Sequence, residues 1–320
     1  MHKVLFTNNS FNKEETEKLR DNGVEIISAG ETLKELELIE SLKGCDGYVI
    51  GGTDRATKNV IESTELKCIV FYGAGYQDFI DIPTANAKSI VVGNTPKANS
   101  YTVAEHTVAL ILEGVKNITW LNNTTKAGNW FRRRTWNLQG KTLGIIGMGT
   151  IGTYVATIMK NAFNVNVIYV SRTPKPDVEK TLGAKKVTLE ELLKTSDIVS
   201  IHASLNDETN NMIDTDQLKV MQPHAILLNM ARAKMVNGVA LKNALEKGQL
   251  AKAIFDGYYQ EPVPTKEEDT IGLLALGDDK FIITPHTAYN TKEAFDNMNR
   301  MVIENLIAFS KGERLPYQVN

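Results

Sequence analysis

Between Lys141 and Thr173 the apolar positions change period twice. The apolar run Thr142–Ile146 predicts a buried parallel strand. Ile151, Val155, Ile158 and Met159 then recur at helical spacing, and the run Val165–Val170 predicts a second strand. The same alternation runs through the rest of the chain. Strands are predicted at Lys3–Thr7, Val24–Ile27, Tyr48–Ile50, Lys67–Phe71 and Ile90–Val92, with helices at Asn12–Asn22, Glu31–Lys43 and Lys58–Ser63 between them. Ser100–Ile118 reads as a long helix capped by Ser100 or Thr102, and Thr119–Leu138 as a polar, aromatic arm or irregular connection. Beyond the central unit, Pro174 and Pro176 mark a loop and Leu205–Met212 a second, polar loop. Strands follow at Ile198–Ile201, Ala225–Asn229, Ala251–Phe255 and Phe281–Thr284, with helices at Leu189–Lys194, Asp214–Met221, Val239–Lys247 and Lys292–Ser310. This alternation argues for an α/β fold with parallel sheets and helices on both faces.

Composition narrows the class without changing that picture. A chain of 320 residues suits about two domains. With 42% hydrophobic and 23% charged residues and a net charge of −2, it reads as an ordinary globular protein. No long run of one sign points to nucleic acid or to an acidic membrane surface. The short run Arg132–Arg134, set among Trp130, Phe131 and Trp136, reads either as a phosphate-binding patch or as a solvated or interface-facing loop. Cys45 and Cys68 lie far apart in apolar runs, so buried reduced thiols are expected, with no disulfide and no metal site. There is no signal-length apolar segment and no run of 18 apolar residues, which leads to the expectation of a cytoplasmic protein.

The turn between the first central strand and its helix carries Gly147, Gly149 and Gly152, with Met148, Thr150 and Ile151 between them. Strand–GxGxxG–helix–strand is the dinucleotide-binding fingerprint. Gly147 permits the tight turn, Gly149 lets a pyrophosphate approach the backbone, and Gly152 lets helix pack on strand. The helix N-terminus offers N–H groups and a positive dipole end to the phosphates. An acidic residue is expected at the end of the second strand to bind the ribose 2′-hydroxyl; Ser171, Arg172 and Thr173 stand there instead. A guanidinium matches a 2′-phosphate, so the turn points to NADP(H) ahead of NAD(H); the alternative is that Arg172 stacks on adenine and the site takes NAD.

Three polar residues follow strand ends in the same half of the chain: Arg232, Glu261 and His286. A carboxylate-bearing substrate suits an Arg fork, and ketone reduction suits a His proton donor. A carboxylate paired with that His favours the imidazolium and fixes its orientation. In the first half, Tyr72–Tyr76 (YGAGY) follows a strand, and Gly73 and Gly75 free the backbone to present N–H groups to an anion; an ordinary turn is the alternative. His106, on the long helix, reads as a structural residue.

Over essentially its full length the chain resembles the D-isomer-specific 2-hydroxyacid dehydrogenases. The resemblance rests on GAGYQDFID (Gly73–Asp81), AEHTVALIL (Ala104–Leu112), GKTLGIIGMGTIG (Gly140–Gly152), SDIVSIHASL (Ser196–Leu205), AILLNMARAKMVN (Ala225–Asn237), FDGYYQEP (Phe255–Pro262) and TPHTAYNT (Thr284–Thr291). It implies two flavodoxin/Rossmann-like lobes, with the cofactor lobe inserted into the substrate lobe: residues 1–99 and 287–320 for substrate, 100–286 for dinucleotide. It implies Arg232 as substrate-orienting residue, Glu261 as the partner that raises the basicity of His286, and His286 as general acid/base. Gly73, Ala74, Gly75 and Tyr76 match the loop whose amides hold the substrate carboxylate. Asp256 matches the residue that meets the nicotinamide carboxamide. His202, Ala203, Ser204 and Thr209, with Met230, Ala231, Arg232 and His286, line the implied cofactor cleft. Tyr289, three residues after His286, resembles the D-lactate dehydrogenase branch, whereas Ser171–Thr173 resembles NADPH-linked glyoxylate or hydroxypyruvate reductases. The sequence departs from the family pattern at Ala233, where Gly is usual, and at Asn237, where Asp is usual. The expected activity is NAD(P)H-dependent reduction of a small 2-keto acid to the D-2-hydroxy acid, with no nucleic acid or membrane partner. The alternatives are a glyoxylate/hydroxypyruvate reductase, a phosphoglycerate dehydrogenase-like activity without a regulatory domain, or a dinucleotide-sensing corepressor. A homodimer is expected, with Trp120–Trp136 and the Ser100 helix as its interface.

Overall fold

The computed structural model describes residues 1–8 and 11–320. Two units separate along the chain: Met1–Asn99 with Thr291–Asn320, and Ser100–Asn290. The second of these runs on to Asn290. The reason is local: Thr287 and Ala288 donate their N–H groups to Asp256 at 2.8 and 2.9 Å, which ties this turn to the second unit.

The first unit opens with β1 (His2–Thr7), α1 (Lys13–Asp21), β2 (Val24–Ala29), α2 (Glu35–Ser41), β3 (Gly47–Ile50), α3 (Lys58–Glu62), β4 (Cys68–Phe71), α4 (Ile82–Ala87) and β5 (Val91–Gly93). Its strands are all parallel, in the order β2-β1-β3-β4-β5. This is the flavodoxin-like order, in which the winding reverses between β1 and β3. Every residue of β3 and β4 is buried, as a parallel sheet covered on both faces requires. A capping box starts α1: Glu15 N–H donates to Asn12 Oδ1 at 2.9 Å and Asn12 N–H to Glu15 Oε2 at 2.8 Å. The helix expected from Glu31 begins only at Glu35, because Lys34 is still extended. Helix α4 was not anticipated, although Asp81 caps it through Thr84 N–H at 2.9 Å and Pro83 sits in its first turn.

The second unit contains α5 (Ser100–Lys116), α6 (Ile118–Lys126), β6 (Thr142–Ile146), α7 (Thr150–Phe163), β7 (Asn166–Val170), α8 (Pro176–Leu182), β8 (Lys185–Lys186), α9 (Leu189–Thr195), β9 (Ile198–Ile201), α10 (Thr215–Lys219), β10 (Ile226–Asn229), α11 (Gly238–Glu246), β11 (Lys252–Asp256) and β12 (Phe281–Thr284). Its parallel sheet runs β12-β11-β10-β9-β6-β7-β8. Successive strand residues feed opposite cores: Ile145 and Ile198 join Val103, Ile111, Val155 and Met159 of α5 and α7, whereas Ile146 and Val199 join Leu192, Leu241 and Leu245 of α9 and α11. Three expectations change here. The long helix ends at Lys116, because Asn117 turns left-handed at φ 54°, and α6 occupies the stretch expected to be irregular. The loop expected around Pro174 and Pro176 contains α8, with Pro176 at its first position, where a missing N–H costs nothing. The two-residue β8 is too short for any periodicity to reveal. The last helix, α12 (Lys292–Ser310), returns to the first unit and packs on α1, β2 and β4.

Candidate active site

In the second unit the winding reverses between β6 and β9, and ligands of open α/β sheets bind beyond the carboxyl ends at such a point. Gly147 ends β6 at φ 98°, and a Cβ there would lie 2.5 Å from Ala203 N and 2.7 Å from Ala203 Cα. A Cβ on Gly152 would lie 2.4 Å from Gly147 O. Gly149 differs from both: nothing lies within 4 Å of the Cβ it lacks, and as N-cap of α7 it supplies no side-chain bond to the first turn. An open approach over uncapped helix N–H groups is what a pyrophosphate needs, so the turn fits a dinucleotide. Met148 is 1% exposed in the core, which leaves only its backbone to face a ligand. Thr150 and Ile151 form the first turn of α7, half-buried.

Around this turn the other anticipated residues separate into two groups. His202 N–H donates to Ile146 O at 2.7 Å, joining the ends of β9 and β6. Burial pushes its imidazole down to about 3, so the ring is neutral; Nε2 lies 2.8 Å from Ser200 Oγ, and Nδ1 is buried with no partner among the described residues. Met230, at 8% exposure, and half-buried Ala231 follow β10. Ser204 and Thr209 instead organise their own loop: the Thr209 hydroxyl donates to Ser204 O and accepts from Asn206 N–H, both at 2.8 Å. Past β7, Ser171 Oγ donates to Thr173 O at 2.5 Å, while Arg172 is exposed. Lys186 Nζ approaches Arg172 O at 3.5 Å, placing a second cation at this turn.

Three strand ends bring the polar constellation together. His286 follows β12 at φ 51°, and its Nδ1 lies 3.0 and 3.2 Å from Glu261 Oε2 and Oε1. Glu261 Oε1 also accepts Tyr258 N–H at 3.1 Å. Burial raises the Glu261 carboxyl, but the His286 hydrogen bond and charge, Tyr258 N–H and the Arg232 charge outweigh it and hold the group below the usual carboxylate range. Arg232 is half-buried past β10, in a turn that Asn229 fixes by accepting Ala231 N–H at 3.0 Å and donating to Arg232 O at 2.9 Å. Tyr289 sets its ring edge-on to His286, with centroids 6.4 Å apart.

Asp256 does more than the resemblance implied. Its carboxylate accepts the Thr284 hydroxyl at 2.6 Å, Thr287 N–H at 2.8 Å and Ala288 N–H at 2.9 Å, so it anchors both sides of His286. A left-handed non-glycine residue costs energy and persists only when its surroundings hold it. His106, on α5, lies 3.4 Å from the Thr284 hydroxyl and extends the same anchor. Sequence reasoning missed Gly257. At φ 105°, it would place a Cβ 2.4 Å from Glu261 Oε1, so only glycine leaves room for the carboxylate that meets His286. A glycine directly after a strand-ending Asp is a signal that could have flagged it.

In the first unit, the YGAGY loop follows β4. Gly73 N–H donates to Phe71 O at 2.9 Å and Tyr76 N–H to Ala74 O at 3.2 Å, so these two amides serve the loop itself. Ala74 and Gly75 keep N–H groups without an acceptor among the described residues. The loop is braced by Thr95 N–H on Gly73 O at 3.0 Å and by Asn94 Nδ2 on Ala74 O at 3.1 Å.

Known proteins are similar to this chain in both sequence and fold. The family model for the D-isomer specific 2-hydroxyacid dehydrogenase NAD binding domain matches residues 108–288. A glyoxylate reductase of Thermococcus litoralis is 36% identical over 327 residues, covering 95% of this chain and 95% of its own. The solved structure of TT0316 protein from Thermus thermophilus is 33% identical, with a TM-score of 0.88 over 99% of this chain and 100% of its own. An acyclic imino acid reductase solved with NADPH and D-Arg is 25% identical, with a TM-score of 0.86 over 99% of this chain and 100% of its own.

Proposed function

Because the chain belongs to the D-isomer specific 2-hydroxyacid dehydrogenase family, we propose that it reduces a small 2-keto acid to the D-2-hydroxy acid, with NADPH ahead of NADH. The observation that carries this reading is the His286–Glu261 pair at 3.0 Å, on the same sheet edge as a glycine turn fit for a dinucleotide. Glu261 holds Nδ1, so the imidazole is oriented with Nε2 left to serve the substrate. From Nε2, His286 gives a proton to the carbonyl oxygen in reduction and takes it back in oxidation. Arg232 offers a guanidinium fork to the substrate carboxylate. Asp256 holds the backbone on either side of His286. The Gly147–Gly152 turn would hold the dinucleotide, and His202, Met230 and Asp256 would serve its nicotinamide end; the bound cofactor would supply the hydride.

The cofactor preference draws support from the end of β7, where Arg172 and Lys186 stand and no carboxylate does. The similar acyclic imino acid reductase was solved with NADPH. Glyoxylate heads the substrate candidates because relatives at this similarity are named glyoxylate reductase. The aromatic arm, with Trp130 78% and Phe131 54% exposed, is the proposed homodimer surface.

The test is a matrix of NADH and NADPH against glyoxylate, hydroxypyruvate, pyruvate and bulkier 2-keto acids, read by loss of reduced-cofactor absorbance, for wild type and His286→Ala. The expected result is NADPH-linked turnover that falls by about 10²–10⁴-fold in the variant. Turnover unchanged in His286→Ala overturns the acid/base assignment, and a strong NADH preference overturns the reading of Arg172. NADPH binding with no oxidation by any 2-keto acid points instead to a sensing role.

A further inference from the structure

The carboxyl ends of the second unit's strands carry the cofactor turn and His286. The amino ends carry something else: a cavity of about 110 Å³ against the first residues of β10 and β11, Ile226 and Lys252. Lys252 is 2% exposed, and its Nζ has no hydrogen-bond partner among the described residues. Buried cations are ordinarily paired or bound to a ligand, and leaving one unsatisfied is costly. Burial presses the ammonium toward neutrality; the Glu113, Asp279 and Asp278 charges oppose this, and the Arg133 charge adds to it.

Each of those carboxylates has another partner. Glu113 accepts Thr119 N–H at 3.1 and 3.2 Å, Asp278 accepts Asn123 Nδ2 at 2.7 Å, and Asp279 lies 3.6 Å from Arg133 Nη1. The cavity wall is rich in donors: Arg133, Arg134, His224, Asn117 and Thr135 join Lys252, and Asp279 is the one carboxylate lining it among the described residues. His224 is itself held by Asp197, at 2.7 Å. The wall is also built rather than draped. Lys116 Nζ donates to Trp136 O at 2.8 Å, the Arg133 guanidinium sits 5.2 Å from the Trp120 ring centroid, and Lys141 Nζ sits 5.3 Å from that of Trp136. A donor-lined space around an orphaned cation calls for an acceptor-rich guest. Its volume, at about 30 Å³ per water, is that of three or four waters, which accommodates one tetrahedral oxoanion.

We propose that this cavity is an oxoanion site, in which Lys252, Arg133 and Arg134 hold a phosphate- or sulfate-sized group, free or carried on a small metabolite. It gives Arg133 and Arg134 a role that the reductase chemistry does not use. It lies at the opposite strand ends from His286, so it stands or falls independently of the proposed activity.

The test is thermal unfolding and calorimetric titration of the full chain with inorganic phosphate, sulfate and glycerol 3-phosphate, against chloride at matched ionic strength. Wild type, Lys252→Met and Arg134→Ala are compared. Saturable stabilisation by about 2–4 °C at about 10 mM phosphate is expected for wild type and is lost in Lys252→Met. Turnover without added anion stays as in wild type. Equal affinity for phosphate and glycerol 3-phosphate identifies a free-anion site; tighter binding of the ester identifies a metabolite phosphate. Should Lys252→Met fail to fold, exposed Arg134 decides, with about tenfold weaker phosphate binding expected in Arg134→Ala. Stabilisation no greater than with chloride, or equal in all three proteins, overturns the proposal. So does loss of self-association in Lys252→Met when wild type binds no phosphate, since a second copy then supplies the acceptor.

Discussion

Both units are doubly wound parallel sheets, and each has a point where the winding reverses, yet the two crevices are finished in opposite ways. In the first unit, between β1 and β3, the Thr7 hydroxyl donates to Asp54 at 2.6 Å, the Tyr48 hydroxyl donates to the same carboxylate, and Asn8 Nδ2 donates to Gly51 O at 3.4 Å. Burial, with the Asp54 charge acting in the same direction, pushes the Tyr48 phenol well up, so it stays a donor. Even the missing Cβ of Gly52 is crowded, 2.4 Å from Thr32 Oγ1 and 2.9 Å from Asp54 Oδ1. In the second unit, between β6 and β9, the glycine turn leaves open space above Gly149 and uncapped N–H groups on α7. Topology offers the same place twice; side chains close one and leave the other for a ligand.

The sharpest way to break this contrast is to close the open crevice. Gly147→Val puts a branched side chain at φ 98° and a Cβ 2.5 Å from Ala203 N, both backbone conflicts that no rotamer relieves. A loss of about 3 kcal/mol or more in urea unfolding is expected, together with loss of dinucleotide binding by fluorescence titration. Native stability in this variant would show that the β6–β9 contact is not tight. The complementary change in the first unit, Asp54→Ala, strips the buried Thr7 and Tyr48 hydroxyls of their acceptor and should cost about 2–3 kcal/mol. Dinucleotide affinity should not change in it; a shift in that affinity would mean that the filled crevice is not merely structural.

A smaller effect, in pH rather than fold, follows from the Glu261–His286 pair. The Glu261 carboxyl lies below its ordinary value in the folded protein. Its contribution to stability is therefore fully present above the unfolded value of about 4.3 and is lost as pH falls through the lower, folded one. In Glu261→Gln the deficit in melting temperature relative to wild type should shrink as pH drops below about 4. The same variant removes the carboxylate that orients His286 Nδ1, so turnover should fall. Gly257→Ala, which would drive a Cβ to 2.4 Å from Glu261 Oε1, should reproduce that fall in turnover. A Gly257→Ala enzyme that loses stability but keeps wild-type turnover would assign Gly257 to folding alone.

How much of this the sequence disclosed depends on how far apart the cooperating residues lie. The β6–turn–α7 unit was legible because its strand period, glycines and helix period are contiguous, and the ends of β10, β11 and β12 pointed to Arg232, Glu261 and His286. Short helices escaped. Helix α4 covers six residues, and α8 was hidden by Pro176, which breaks a helix interior but suits a first turn. What joins distant strand ends escaped as well. That Asp256 anchors Thr287 and Ala288, or that Gly257 makes room for Glu261, depends on the turn after β12 meeting the end of β11, and no local pattern records this. Nothing in the sequence singles out Lys252, inside the expected strand Ala251–Phe255; only its burial at the sheet's amino end makes it conspicuous.

The smallest expected change in stability bears most directly on the difference between the crevices. Gly149 has φ −84°, a value any L-residue adopts, and a Cβ there meets nothing within 4 Å. Gly149→Ala should therefore leave unfolding within about 0.5 kcal/mol of wild type. If the turn accepts a pyrophosphate at close range, the same methyl group occupies the approach and weakens NADPH binding, with turnover at saturating NADPH less affected than KM. At Gly52 the same substitution meets Thr32, Asn8 and Asp54, so stability falls there while NADPH affinity holds. Opposite outcomes from one chemical change, at matching points of two sheets with the same winding logic, would locate ligand binding in the space that side chains leave empty. Gly149→Ala with unchanged NADPH affinity would remove the turn's claim to close backbone contact and leave the dinucleotide held by the rest of the β6–β9 edge.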